Sequence, residues 1–154
     1  MGTAQFITPD AVLLGVDSHS KKHLIQDVSA LAAKITKLPE RAIFDTLLKR
    51  ERLGSTGVGN GVAIPHGKLV ELSAITGIFV RLAEPINFDA LDDEPVDLVF
   101  ALLAPEDAGA DHLKALAKIA RILRTPQMAE DLRKADTPAE VYQLLTRAPV
   151  SAAG

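Results

Sequence analysis

A chain of 154 residues with 47% hydrophobic and 24% charged residues is long enough to bury one core and too apolar to remain disordered. Its net charge of −3 gives no basic footprint for nucleic acid, and five Phe, one Tyr and no Trp leave no stacking platform for single strands. With no cysteine, disulfides, thiolate metal sites and cysteine nucleophiles are excluded, which fits a reducing compartment. The most apolar stretch, Val96–Ala104, is of strand length, well short of the ~18 residues of a membrane span. Residues 1–10 show no basic segment followed by an apolar one. Neither membrane insertion nor export is expected, and the cytoplasm is the expected compartment.

Thr8-Pro9-Asp10 reads as an N-cap followed by proline at the first helical position, predicting a short helical turn through Leu14 that Gly15 ends. Ser20 is a second N-cap candidate. Beyond it Leu24, Val28, Leu31, Ile35 and Leu38 recur at steps of four and three, predicting an amphipathic helix of about five turns. Lys21, Lys22, Gln26 and Lys34 fall on its solvated face. Pro39 starts the next helix, with Ile43, Phe44, Leu47 and Leu48 as its apolar side and Leu53-Gly54 as its stop.

Val62-Ala63-Ile64 is a short buried strand, and Ala74–Ala83 a longer one closed by Glu84-Pro85. Val96–Ala104, apolar on both faces, is expected at the centre of its sheet. After a turn at Pro105–Gly109, Asp111 caps a helix sided by Leu113, Leu116, Ala120 and Leu123, joined by Ile119 and Ile122. Thr125-Pro126 breaks it, and a short helix follows from Gln127 to Lys134. Thr137-Pro138-Ala139-Glu140 has the form of a capping box for a last helix carrying Val141, Leu144 and Leu145, and the tail after Arg147 is expected to fray. Helices at both ends and strands between them predict a single domain over residues 1–154, ordered over about 6–147, with four or five strands, some parallel, and helices on the sheet faces.

Between the second helix and the middle strands, Arg50–Lys68 gathers five glycines and a proline around His66. Two phosphate-loop readings fail on spacing. A Walker A loop has four residues before its Gly-Lys pair and then Ser or Thr, whereas five separate Gly61 from Gly67-Lys68 and Leu69 follows. The dinucleotide fingerprint fails at Val62, in a segment that reads as extended where a helix must open. No metal is expected: His66 and His112 lack a nearby Cys, Asp or Glu to complete a shell, and His19 with His23 reads as surface. A histidine nucleophile fits better, because neutral imidazole is nucleophilic near pH 7 and can carry a transferred group. If that group is phosphoryl, Arg50, Ser55, Thr56 and the glycine N–H groups could surround its oxygens, with His112 bonding the phosphate or orienting the first ring. On the residues alone, a phosphohistidine site and an elaborate structural turn both stay open.

The run from Arg50-Glu51 and Leu53-Gly54-Ser55-Thr56 through Asn60-Gly61 to Pro65-His66-Gly67-Lys68 closely resembles the active-site segment of phosphotransferase-system EIIA proteins of the fructose/mannitol type. Its Leu-Gly-Ser-Thr and Asn-Gly versions resemble the nitrogen-regulatory branch. The likeness continues through Phe88-Asp89-Ala90, Pro95–Pro105 and His112-Leu113, with Val58 and Val62 standing where isoleucine is common.

The resemblance implies an α/β sandwich with a mixed, about five-stranded sheet between helices. It implies that His66 accepts a phosphoryl group at Nε2 from an HPr-like phosphocarrier, the NPr of the nitrogen branch, while Arg50 and His112 stabilise the phosphate. No metal or organic cofactor is implied. The phosphorylation state would control regulatory targets such as potassium transport or sensor kinase proteins. One alternative is a sugar-uptake EIIA that hands phosphate to an EIIB domain, and another is an interaction module indifferent to phosphorylation. For close approach of two imidazoles, a shallow apolar ring is expected around His66, with Val58, Ile64 and Ile86 as candidates.

Overall fold

A computed structural model describes residues 6–147, so the tail after Arg147 lies outside the described residues. After one 3-10 turn at Pro9–Ala11, the chain runs β1 (Val12–Val16), α1 (Lys21–Thr36), α2 (Glu40–Leu53), β2 (Gly57–Gly59), β3 (Val62–Ala63) and β4 (His66–Leu69). It continues as β5 (Thr76–Ile86), β6 (Val96–Pro105), α3 (Ala110–Arg124), α4 (Pro126–Lys134) and α5 (Pro138–Arg147). The strands form one mixed six-stranded sheet in the order β1-β5-β6-β3-β2, with β4 also paired to β6.

β6 is the ruler of the sheet. It is antiparallel to β5 and parallel to both β3 and β4. Every residue from Leu98 to Ala104 is fully buried, so helices cover both faces of the sheet. α1 packs on α2 and β5, and α2 on β4; α3 packs on β6 and α4, and α5 on α4 and β1. This is the expected layered α/β domain, with six strands where about five were expected.

β3 and β4 lie one after the other along the same edge of β6. Val62 is opposite Leu98 and Ala63 opposite Val99, and pairing resumes with His66 opposite Leu102. The break falls at Ile64-Pro65, where the Pro65 carbonyl accepts from the Leu102 N–H at 2.9 Å. Proline has no N–H to lose there, and the interruption re-aims the chain just before His66.

Caps explain the helix limits. The Ser20 side chain accepts from the His23 N–H at 3.1 Å, and α1 stops where Lys37 turns left-handed with φ 67°. Its inner face is Leu24, Ile25, Val28, Ser29 and Ala32; Leu31, Ile35 and Leu38 of the expected stripe are only partly buried. In α2 the buried positions are Ile43, Leu47 and Glu51, four residues apart, so a carboxylate continues the apolar stripe. Thr137 Oγ1 accepts from the Glu140 N–H at 3.2 Å, as a capping box requires.

Three local expectations are corrected. The expected helix from Pro9 to Leu14 shrinks to a single turn, and Val12–Val16 pairs parallel with Phe79–Leu82. A short apolar run fits either period, and the open edge of β5 decides it. Glu84-Pro85 does not end β5, which continues to Ile86 past a register shift that tolerates the exposed proline. Asp111 does not cap α3. Gly109 precedes the helix, Leu113 is 68% exposed, and the inner face is His112, Ala115, Lys118, Ile119, Ile122 and Leu123.

The glycine-rich run is largely a β-hairpin. Asn60 (φ 57°) and Gly61 (φ 80°) form the two-residue turn between β2 and β3 that Asn-Gly favours. Its tip is tied down on both sides. The Asn60 N–H donates to Asp92 at 3.0 Å, and Arg133 Nη2 donates to the Asn60 carbonyl at 2.9 Å while gripping Asp97.

Gly67 serves a different need, because a Cβ there would lie 2.5 Å from Thr46 Cγ2 on α2. Thr46 is β-branched and confined to few rotamers on a helix, so making room carries a cost. Gly67→Ala is therefore expected to lower the urea unfolding midpoint by an amount equivalent to about 1–3 kcal/mol. Thr46→Ser, which deletes the obstructing methyl, is expected to recover most of that loss in the double variant.

Candidate functional site

His66 stands at the first position of β4, half-buried, with its Nδ1 2.8 Å from the Ile64 carbonyl oxygen. A carbonyl can only accept, so the ring proton sits on Nδ1 and Nε2 keeps its lone pair. The proton affinity of the ring is lowered from the ordinary histidine value of 6.5. Burial is the chief cause, the Ile64 carbonyl opposes it, the Arg50 charge lowers it further and the Glu51 charge raises it. His66 is accordingly a neutral imidazole with one free ring nitrogen near neutral pH.

His112, the third residue of α3, lies edge-on to it, with ring centroids 5.7 Å apart and planes at 72°. The residue is 6% exposed, and its Nε2 has no hydrogen-bond partner among the described residues. Burial above all, then His66 and the Lys68 charge, hold its pKa below the usual value. A buried ring nitrogen without a partner is costly, and the ring that carries it lies beside His66, whose Nε2 keeps a lone pair.

Arg50 belongs to the last turn of α2, and its Nη1 donates to the Gly54 carbonyl at 3.0 Å. It thus reaches across the helix end while its charge acts on His66. The two hydroxyls of the loop are engaged elsewhere. Ser55 Oγ donates to the Phe88 carbonyl at 2.8 Å and accepts from the Gly57 N–H at 3.0 Å. Thr56 Oγ1 donates to Glu51 Oε1 at 2.6 Å, and its N–H donates to Glu51 Oε2 at 2.9 Å. Either hydroxyl would have to leave its present acceptor to meet a phosphoryl group.

The apolar ring is corrected in its membership. Val58 is 39% exposed, but Ile64 and Ile86 are core residues, at 4% and 8%. Ile64 is held by the β3 pairing that buries its neighbours, and Ile86 by the pairing of β5 with Val96. Besides Val58, the large exposed apolar side chains among the described residues are Leu53 beside the Arg50 turn, Val70 just past β4, Leu91, and Leu113, the residue after His112.

Two residues of this region escape the sequence reading. Glu51 is buried, and Lys21, read there as solvated, pairs with it at 3.1 Å and with Asp89 at 3.3 Å while lying 5.0 Å over the Phe88 ring. The signal for Glu51 was present: it falls four residues after Leu47 and eight after Ile43, on the buried stripe. His112 likewise begins the stripe of Ala115, Ile119 and Ile122. Among the described residues no group of three or more His, Asp or Glu could hold a metal ion, and no helix is long and apolar enough to cross a membrane.

A nucleophilic nitrogen, a buried unpartnered ring nitrogen and a guanidinium together suit a small, multiply charged oxyanion. Comparison with known proteins points the same way. The family model described as phosphoenolpyruvate-dependent sugar phosphotransferase system, EIIA 2, matches residues 5–148. A nitrogen regulatory protein of Bradyrhizobium diazoefficiens is 51% identical over 153 residues, 99% of this chain and 100% of its own length. One from Escherichia coli is 48% identical over 133 residues, 85% of this chain and 81% of its own. The crystal structure of nitrogen regulatory protein IIA-Ntr from Neisseria meningitidis superposes with a TM-score of 0.88 at 38% identity, covering 92% of this chain and 97% of that one. The chain therefore belongs to the EIIA type 2 family of the phosphotransferase system, in its nitrogen-regulatory branch.

Proposed function

We propose that this protein is a phosphoryl carrier of the nitrogen phosphotransferase system, with His66 as its acceptor. The observation that carries the reading is the bond from His66 Nδ1 to the Ile64 carbonyl. It leaves Nε2 as the sole nucleophilic atom and holds the ring in one orientation. In the proposed step, Nε2 attacks the phosphorus of a phosphohistidine on a small HPr-like carrier. A new P–N bond forms as the donor P–N bond breaks, and the electron pair returns to the donor ring nitrogen. The His66 proton stays on Nδ1, donated to the Ile64 carbonyl throughout, so no base is needed.

Arg50 gives its guanidinium to the transferring oxygens, leaving Gly54, and the His112 Nε2–H, otherwise without a partner, donates to another. Ser55 and Thr56 complete the phosphate-binding set, chiefly by shaping the loop through Phe88 and Glu51. The carrier docks over the exposed apolar side chains around the site, of which Val58 and Leu113 are the first to test. The phosphorylation state of His66 then alters the surface that regulatory partners meet. The names of the relatives at 51% and 48% identity favour this regulatory role over delivery of phosphate to a sugar-specific EIIB domain. Carbohydrate-dependent transfer to an EIIB domain would reverse that preference.

Incubation with phosphoenolpyruvate and EI-type and HPr-type proteins is expected to place one acid-labile phosphate on His66. Label on another residue, or label that persists in His66→Ala, would defeat the reading. If Arg50 stabilises the transferring charge, Arg50→Ala is expected to slow single-turnover transfer by about 10²–10³-fold; an unchanged rate removes it from the site. A pure interaction module would instead bind its partners equally well as His66→Ala and take up no phosphate.

The pH dependence follows from the two depressed histidines. Transfer needs neutral His66, so the acid limb of the rate profile is expected to lie below the ordinary value of 6.5. Between 6.5 and their lower folded values, both rings hold fewer protons folded than unfolded, so unfolding takes up protons and stability falls as the pH falls through that interval. Urea midpoints measured on either side of it are expected to show the decline, and His66→Ala with His112→Gln to flatten it.

A further inference from the structure

We propose that Glu51, with Lys21 as its counter-charge, is the positioning residue that sets His66 and Arg50 for phosphoryl transfer; the proposal rests on the phosphohistidine reading. The Glu51 side chain is 2% exposed. Its two oxygens meet three donors: the Thr56 hydroxyl at 2.6 Å, the Thr56 N–H at 2.9 Å and Lys21 Nζ at 3.1 Å. A buried ion pair gives little net stability, and apolar residues of similar size often replace one without loss. The stripe that Glu51 continues is apolar at Ile43 and Leu47, so an apolar residue would serve packing there. The carboxylate does what a leucine could not, which is to grip Thr56.

That grip runs to the reacting ring in three steps. Glu51 holds the Thr56 N–H, the Thr56 carbonyl accepts from the Ile64 N–H at 3.0 Å, and the Ile64 carbonyl accepts from His66 Nδ1 at 2.8 Å. On its other side Glu51 adjoins Arg50 in the same helical turn, so one anchored residue spaces the guanidinium and the imidazole. Lys21 brings in the far wall. It pairs with Asp89 and covers Phe88, whose carbonyl holds the Ser55 hydroxyl. The negative charge of Glu51 also acts on His66 in opposition to Arg50.

The test compares wild type, Glu51→Gln, the apolar pair Lys21→Met/Glu51→Leu, and Glu51→Ala. Each is read by its unfolding midpoint, by single-turnover transfer from the phosphorylated HPr-type carrier, and by ¹⁵N NMR of the unphosphorylated His66 ring. Glu51→Gln can still bond Thr56 and is expected to keep transfer within about tenfold of wild type. The apolar pair is expected to fold, keep its KM, lose about 100-fold in kcat, and show His66 as a mixture of tautomers instead of Nδ1–H alone.

If the apolar pair does not fold, Glu51→Ala, which likewise removes the grip on the Thr56 N–H, carries the test through the same ring signature. An unphosphorylated ring that stays Nδ1–H with wild-type transfer overturns the proposal, as does a rate loss that merely tracks the unfolded fraction. A wild-type chain that takes up no phosphate removes the phosphohistidine reading and the proposal with it. Labelled wild type alongside an equally fast apolar pair removes the proposal alone.

Discussion

The Nδ1–H to Ile64 carbonyl bond makes His66 chemically single-minded. A free imidazole exchanges its proton between two nitrogens and turns about two side-chain bonds. Here one short bond within a three-residue stretch decides the tautomer and the ring plane together. Ile64 and Pro65 face opposite ways at the break between β3 and β4: the Pro65 carbonyl accepts from Leu102 of β6, the Ile64 N–H donates to Thr56, and the Ile64 carbonyl is left for the ring. β6, buried on both faces and paired on both edges, is rigid enough to hold both halves of that interrupted strand in register.

Electrostatics around the ring come from adjacent residues with opposite effects. Arg50 disfavours a protonated His66 and Glu51 favours it. Neighbours on a helix are roughly 100° apart, so one faces the buried stripe and the other the site. The carboxylate is spent on Thr56 and Lys21, whereas the guanidinium bonds one backbone carbonyl, which it can exchange for a stronger charged acceptor. The group left available to an incoming anion is therefore the cation.

Much of this was legible in the residues, and the exceptions have physical causes. Long periodic segments such as α1, α2 and β6 declare themselves, as does the central place of a strand apolar on both sides. The run Val12-Leu13-Leu14 does not, since four or five apolar residues fit a turn of helix or an edge strand equally, and only β5 alongside settles it. Pro85 misleads because proline is tolerated where a strand loses register. At the site, His66 and His112 lie edge-on and the Arg50 charge acts on His66. The glycines are not chiefly a cradle: Asn60-Gly61 is a hairpin turn and Gly67 clears a helix. Ile64 and Ile86 were named for a surface and lie in the core, because an isoleucine next to a reactive residue reads alike in either place. Glu51 was missed since a carboxylate in a charged helix end draws no notice until its period is counted.

The two end strands of the path β1-β5-β6-β3-β2 are poor templates for another chain. At one end, β2 has only three residues, begins and ends in glycine, and runs into a turn whose Asn60 N–H is taken by Asp92. At the other, β1 has five residues and is broken by left-handed Gly15 where its pairing slips. Short, bent or acid-blocked edges discourage the strand-to-strand accretion by which sheet proteins form fibrils.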